Sequence, residues 1–113
     1  MGMHHSTYFA YGIHVTTDRY AWEESEHADE ALSEIQQSCP DIRTLSAGDY
    51  DRDHFFLVTK SHEVKLGTFE HVTPSTATPQ QITDWDRQLL AAAIALGYTD
   101  TSAPGWLVVP DCS

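Results

Sequence analysis

At 113 residues the chain has the size of one ordinary domain, large enough to hold a core without metal or disulfide staples. Seventeen acidic residues stand against six Lys and Arg, a formal net charge of −11, and a surface of that sign repels nucleic acid and anionic membranes. An apolar content of 41% argues against disorder, and no window holds the roughly 18–20 consecutive apolar residues that span a bilayer.

The opening Met1-Gly2-Met3-His4-His5 is polar and carries no basic region, so a secretory leader is not expected and residues 1–5 are read as a flexible start. Ser6 to Val15 alternates as a strand, with Phe9, Tyr11, Ile13 and Val15 on one face and Tyr8, Ala10, Gly12 and His14 on the other. Gly12 removes a side chain in mid-strand, a common mark of a bulge or a close backbone approach. A first helix is expected from the region Glu24–His27 to Cys39, where Pro40 restricts the preceding residue. Ala28, Ala31, Leu32 and Ile35 form its narrow apolar stripe. Glu26, Glu30 and Glu34 recur four apart on its outer face, with no Lys or Arg between them.

Ile42 to Ala47 reads as a second strand, closed by Gly48-Asp49-Tyr50-Asp51-Arg52-Asp53. His54 to Lys60 is the third, and its run Phe55-Phe56-Leu57-Val58 is apolar on both faces. Ser61-His62-Glu63 is taken as a turn into a fourth strand, Val64 to Val72. Thr78, Pro79 and Gln81 spell a capping box. Ile82, Trp85, Leu89, Ala93 and Leu96 follow at helical spacing, Leu90 widens the stripe, and Gly97 supplies the left-handed stop. Trp106 to Val109 is a final strand stopped by Pro110. The expected fold is one α+β domain over residues 1–113, with two helices on a mainly antiparallel sheet of about five strands in the order βαβββαβ.

No motif for catalysis emerges. Asp49-x-Asp51-x-Asp53 resembles the start of a calcium loop, but the sixth and twelfth positions carry His54 and Lys60 instead of Gly and Glu, so an acidic turn is expected. The seven histidines form neither H-E-x-x-H nor a Cys/His cluster, and no metal or other cofactor is expected. Cys39, at a helix C-terminus among acids, is a poor nucleophile, and Cys39 with Cys112 makes no disulfide framework, which points to a reducing cytoplasm. There is no G-x-S-x-G elbow, phosphate loop or dinucleotide fingerprint. No carboxylate stands out by an apolar setting.

Ser6-Thr7-Tyr8-Phe9-Ala10-Tyr11-Gly12-Ile13, with the acidic helix after it, resembles the opening of small orphan proteins from phages of actinobacteria and from their hosts. The resemblance implies a cytoplasmic accessory protein that binds a host protein instead of catalysing a reaction, and it carries no catalytic residues. The functional expectation is therefore a protein-binding module whose partner is basic, with Glu26, Glu30, Glu34, Asp49, Tyr50, Asp51 and Asp53 as the contact residues. Direct nucleic-acid and membrane binding are not expected, whereas a homodimer is, through Phe56 and Val58 if both helices cover the other face. Two alternatives stand beside it. One is a metal-binding or hydrolytic site built on His14, His54, His62 and His71 with nearby carboxylates. The other is nucleic-acid mimicry, against which glutamates rising about 6 Å per four helical residues are sparser than the roughly 3.4 Å per charge of one DNA strand.

Overall fold

The computed structural model describes residues 5–48, 53–72 and 77–112. Through them the chain runs β1 (His5–Val15), α1 (Ala21–Glu34), β2 (Arg43–Ala47), β3 (His54–Lys65), α2 (Pro79–Leu96) and β4 (Gly105–Cys112). Neighbouring strands are antiparallel in the order β2-β3-β1-β4. Each helix thus returns the chain parallel to the strand it left, with one strand between the two, giving a pair of interleaved split β-α-β units. The α+β class with an antiparallel sheet and two helices is as expected. The fifth strand is absent from the described residues, and the order is βαββαβ. His5, read as part of a flexible start, is already in β1.

Local chemistry sets α2. The Thr78 hydroxyl accepts from the Gln81 N–H at 3.1 Å, and the Gln81 side chain accepts from the Thr78 N–H at 3.0 Å. Two donors with no partner inside the helix are satisfied reciprocally. Gly97, at φ 81°, closes the other end in the left-handed region. Trp85, Leu89, Ala92 and Ala93 are buried, with Ile82 and Leu96 packed at the margin. Leu90 does not widen the stripe: it is 63% exposed, because its phase turns it away from the sheet. Gln88 is buried instead. Its amide donates to Asp84 and Asp41 and accepts from the Asp41 N–H, fixing α2 to the segment before β2.

Helix α1 starts before its expected first turn and ends well short of Cys39. Tyr20 makes no side-chain cap, so no sequence signal marks the start; Ala21 is recruited because its side chain is buried. At the other end no basic residue faces the C-terminal dipole, and Glu34 sits there unfavourably. Beyond it, Ser38 and Cys39 N–H groups both turn back to the Ile35 carbonyl, and the Cys39 thiol docks on the Gln88 carbonyl at 3.6 Å. Burial pushes that thiol up from its ordinary pKa.

Ser61-His62-Glu63 is not a turn. β1 is eleven residues long, and β3 runs on beside it, pairing Ser61 with Ala10, His62 with Phe9 and Glu63 with Tyr8. A β-bulge makes this possible: Tyr11 pairs with Lys60 and Gly12 with Val58, leaving Thr59 as the extra residue, whose hydroxyl donates to the Tyr11 carbonyl. A Cβ on Gly12 would meet the Leu57 carbonyl oxygen at 2.2 Å, so the close approach foreseen at this glycine is real. β3 ends at Lys65, and Gly67 (φ 89°) turns the chain. β4 passes through Pro110 because it is an edge strand, where a missing N–H costs no ladder bond.

Both helices pack on one face, over Tyr11, Ile13, Val15, Phe55 and Leu57. The opposite face carries Ala10, Ala47, Phe56, Val58 and Val109. Phe56 and Val58 were expected to await a second subunit, yet they are only 6% and 2% exposed within the single chain. The sheet itself covers them. In a flat sheet β2 and β4 would stand about 14 Å apart, three spacings of about 4.7–4.9 Å. Here the Gly48 N–H that follows β2 reaches the Asp111 carboxylate of β4 at 2.9 Å. The sheet is coiled, corner toward corner, around its second cluster.

Two substitutions test this packing by chemical denaturation. Leu89→Ala should cost about 2–5 kcal/mol, as buried leucine truncations do; a loss below half of one kcal/mol would mean that this face of α2 is not core. Gly12→Ala should destabilise by about 1–3 kcal/mol or more, since a methyl group there meets backbone that cannot rotate away.

Candidate functional site

The expected contact residues divide into two groups. Glu26, Glu30 and Glu34 are all on α1 and all exposed. Asp53 is exposed at the entrance to β3, on a different element, and Asp49, Tyr50 and Asp51 lie outside the described residues. α1 buries Ala21, Glu24, Ala28 and Leu32 against the sheet, which turns the line 22-26-30-34 outward. That line begins with a tryptophan. Trp22 is 60% exposed, and Glu26, Glu30 and Glu34 follow it at about 6 Å intervals along the helix axis. Glu23, His27 and Asp29 flank the line. Arg19 pairs with Glu24 and Arg87 with Asp84, and among the described residues Glu26, Glu30 and Glu34 have no ion-pair partner.

Among the described residues most other aromatic side chains pack within the fold, whereas Phe69 and Tyr20 are exposed like Trp22. Trp106 meets Tyr11 and Trp85 edge-on, Tyr11 and Trp85 are tilted against each other, and Phe9 stacks on Trp106 at 4.9 Å between ring centres. Phe56 lies in the second cluster, and Tyr98 packs edge-on against Phe55. Trp22 has no ring neighbour among the described residues, and Tyr20, two residues before it, is exposed as well.

One carboxylate is singled out by its setting, contrary to the sequence reading. Glu24 is 4% exposed and accepts from the hydroxyls of Tyr98 and Thr17, with the Arg19 guanidinium at 3.8 Å. Ala21, Glu24, Ala28 and Leu32 lie in one helical stripe, a signal visible in the sequence only once the helix is known to start at Ala21. Its bonds tie the first turn of α1 to the segment between α2 and β4. It is saturated with partners and serves the fold. Tyr11 plays a similar part, donating to Asp86 of α2 at 2.5 Å.

The histidines grouped in the alternative reading do not converge. His14 and His54 face each other, Nε2 to Nδ1, at 3.2 Å. His62 lies further along β3 opposite Phe9, and His71 is exposed after β3 has ended. Among the described residues no group of three or more His, Cys, Asp or Glu side chains is placed to hold a metal ion. An open groove of about 830 Å³ runs along the concave side, lined by Phe56, Leu107 and Val109 with Ser6, His54 and Asp111. Among the described residues no helix is long and apolar enough to cross a membrane.

The tyrosine bonds have a measurable signature. Burial first, then the bond to Asp86, pushes the Tyr11 phenol up to about 12; burial and Glu24 raise Tyr98 as well. Their folded values lie above the unfolded value of about 10. Each therefore contributes stability fully below pH 10, and loses it as pH rises through the folded value, from about 10 to about 12 for Tyr11. A native titration of phenolate absorbance should show a delayed fraction that Tyr98→Phe reduces. A single transition near the unperturbed value for every tyrosine would contradict these bonds.

No protein-family model, no curated protein and no solved structure matches this chain, so the functional reading rests on the geometry of α1.

Proposed function

We propose that the domain is a non-enzymatic binding module, an accessory protein that recognises a basic surface on another protein through the outer face of α1. The observation that carries this reading is the line Trp22-Glu26-Glu30-Glu34: an exposed indole at one end of three unpaired carboxylates. The roles divide by chemistry. Tryptophan is the side chain most enriched among residues that dominate binding energy, because it desolvates a large rigid surface. Carboxylates at the rim steer a cationic partner and suppress wrong ones, contributing more to on-rate than to affinity. Asp53, with Asp49, Tyr50 and Asp51, belongs to the same proposal as a second acidic contact. A reducing cytoplasm suits a chain whose Cys39 is a free, buried thiol, and host-protein binding accords with the phage-like opening of the sequence.

The test begins with a pull-down from the native cell and mass spectrometry of what is captured. Association kinetics then compare the parent protein with the triple variant Glu26→Gln, Glu30→Gln, Glu34→Gln and with Trp22→Ala. The triple variant should fold normally, since exposed charges contribute little to stability. Its on-rate should fall, along with the dependence of that rate on salt over a Debye length of about 8–10 Å. Trp22→Ala should instead speed dissociation, with a loss of about 2 kcal/mol or more. Unchanged rates and salt dependence in both variants would mean that the acidic face serves solubility alone.

A further inference from the structure

The outer face of α2 carries two large apolar side chains that its own fold leaves open. Leu90 is 63% exposed and Ile94 71%, and a spacing of four puts them on one line, about 6 Å apart along the axis. Ala91 is half-buried and Ala95 exposed beside them, and both are small enough to let a second helix approach closely. No charged residue and no histidine falls between Arg87 and Asp100. Other exposed apolar side chains have a different setting. Trp22 stands beside Glu23 and Glu26, and Leu66, Phe69 and Val72 are interspersed with Lys65, Glu70 and His71. Val108 lies on an edge strand whose Pro110 lacks the N–H that continued pairing needs. The two ends of the α2 line are electrostatically complementary. Arg87, three residues before Leu90, is largely exposed, and the negative C-terminal end of the helix has no basic residue in its last turn.

We propose that this face of α2 packs on the same face of a second copy of the chain, antiparallel about a two-fold axis opposite Ala92. Equal steps from that point bring Leu90 of one copy to Ile94 of the other, twice over. They also bring Arg87 to Gly97 of the other copy, where a guanidinium complements the helix-terminal carbonyls. Charge selects the occupant. Two copies at −11 each repel wherever their acidic surfaces meet, so self-association needs a face without net charge, and α2 between Arg87 and Asp100 is such a face. A basic partner gains nothing there and is drawn to α1 instead. The surface is small beside the roughly 800 Å² per partner of a stable complex, so the dimer is weak and forms at micromolar concentrations. Glu26, Glu30 and Glu34 belong to the other helix, so each dimer carries two copies of the α1 line.

Sedimentation equilibrium of the full chain tests this over about 5–500 μM, a range that brackets the dissociation constant of so small an interface. The expected result is a monomer–dimer equilibrium that tightens as sodium chloride is raised, because salt screens the repulsion between like-charged copies. Leu90→Glu and Ile94→Glu should each weaken it about tenfold or more, since a carboxylate would be buried against apolar side chains. Arg87→Ala should weaken it about twofold to fivefold, and Val108→Glu should leave it unchanged. Leu90, Ile94 and Val108 are exposed, so their replacement leaves the fold intact, as circular dichroism would verify. Three results would overturn the proposal: a chain monomeric throughout the range, a dimer undiminished in both α2 glutamate variants, or a dimer lost only in Val108→Glu, which would place the contact on the β4 edge.

Discussion

The coiling of the sheet around the contact between Gly12 and the Leu57–Val58 backbone is the constraint on which the rest depends. A four-stranded sheet with both helices on one face leaves its other face to water. This chain resolves that by bending the sheet until the end of β2 meets β4 at Gly48 and Asp111. Strong coiling needs small side chains inside the bend and a bulge to steepen the twist. Gly12, Ala10 and Ala47 supply the first, and Thr59 supplies the second. The bulge also restores the alternation of β3, so that Ser61 and Glu63 follow Phe56 and Val58 on the concave side. Without it the polar half of β3 would be out of phase with β1.

Because the second face buries itself, only the helix face has apolar surface to offer the helices, and they share it unequally. α2 brings Trp85, Leu89, Ala92 and Ala93. α1 brings only Ala21, Ala28 and Leu32 with the aliphatic part of Glu24, so polar bonds hold it down. Ser25 bonds Thr44, Thr44 bonds Asp29, Ser46 reaches the Ala21 carbonyl, and Tyr98 reaches Glu24. These anchors lie on the inner side and the flank. Among the described residues Glu26, Glu30 and Glu34 on the outer side make no side-chain bond to the rest of the fold, which leaves those positions to other demands.

How much of this was legible in the sequence follows the range of the interactions involved. α2 was readable to the residue because Thr78, Pro79, Gln81 and Gly97 act on their own neighbours. α1 had no such marker: Tyr20 is not a capping residue, and the helix ends where Cys39 is drawn to Gln88, forty-nine positions away. The break read into Ser61-His62-Glu63 had the same origin, since polar residues in sequence look like a turn until an eleven-residue partner strand is known to lie beside them. Phe56 and Val58 were recognised as a second apolar face, but only the coil explains what covers them. At the candidate site the three glutamates were legible from their spacing. Trp22 was not joined to them, because its place in the line requires a helix that begins at Ala21.

The proposed recognition role would give that line a reason that solubility does not require. A soluble surface can scatter its acids, whereas Glu26, Glu30 and Glu34 stand where each repels the next, by about 0.2–0.5 kcal/mol per pair. Glu34 also opposes the negative end of the helix dipole, another several tenths of a kcal/mol. An exposed indole at the head of the row works against solubility. On the proposed reading these small penalties would share one remedy, a cationic surface with a recess for the ring. A partner of that kind would relieve the repulsion and cover the indole in the same step, so that strain carried by the free helix would return as binding energy. The weakness of α1 as a helix and its fitness as a recognition surface would then be two aspects of one arrangement.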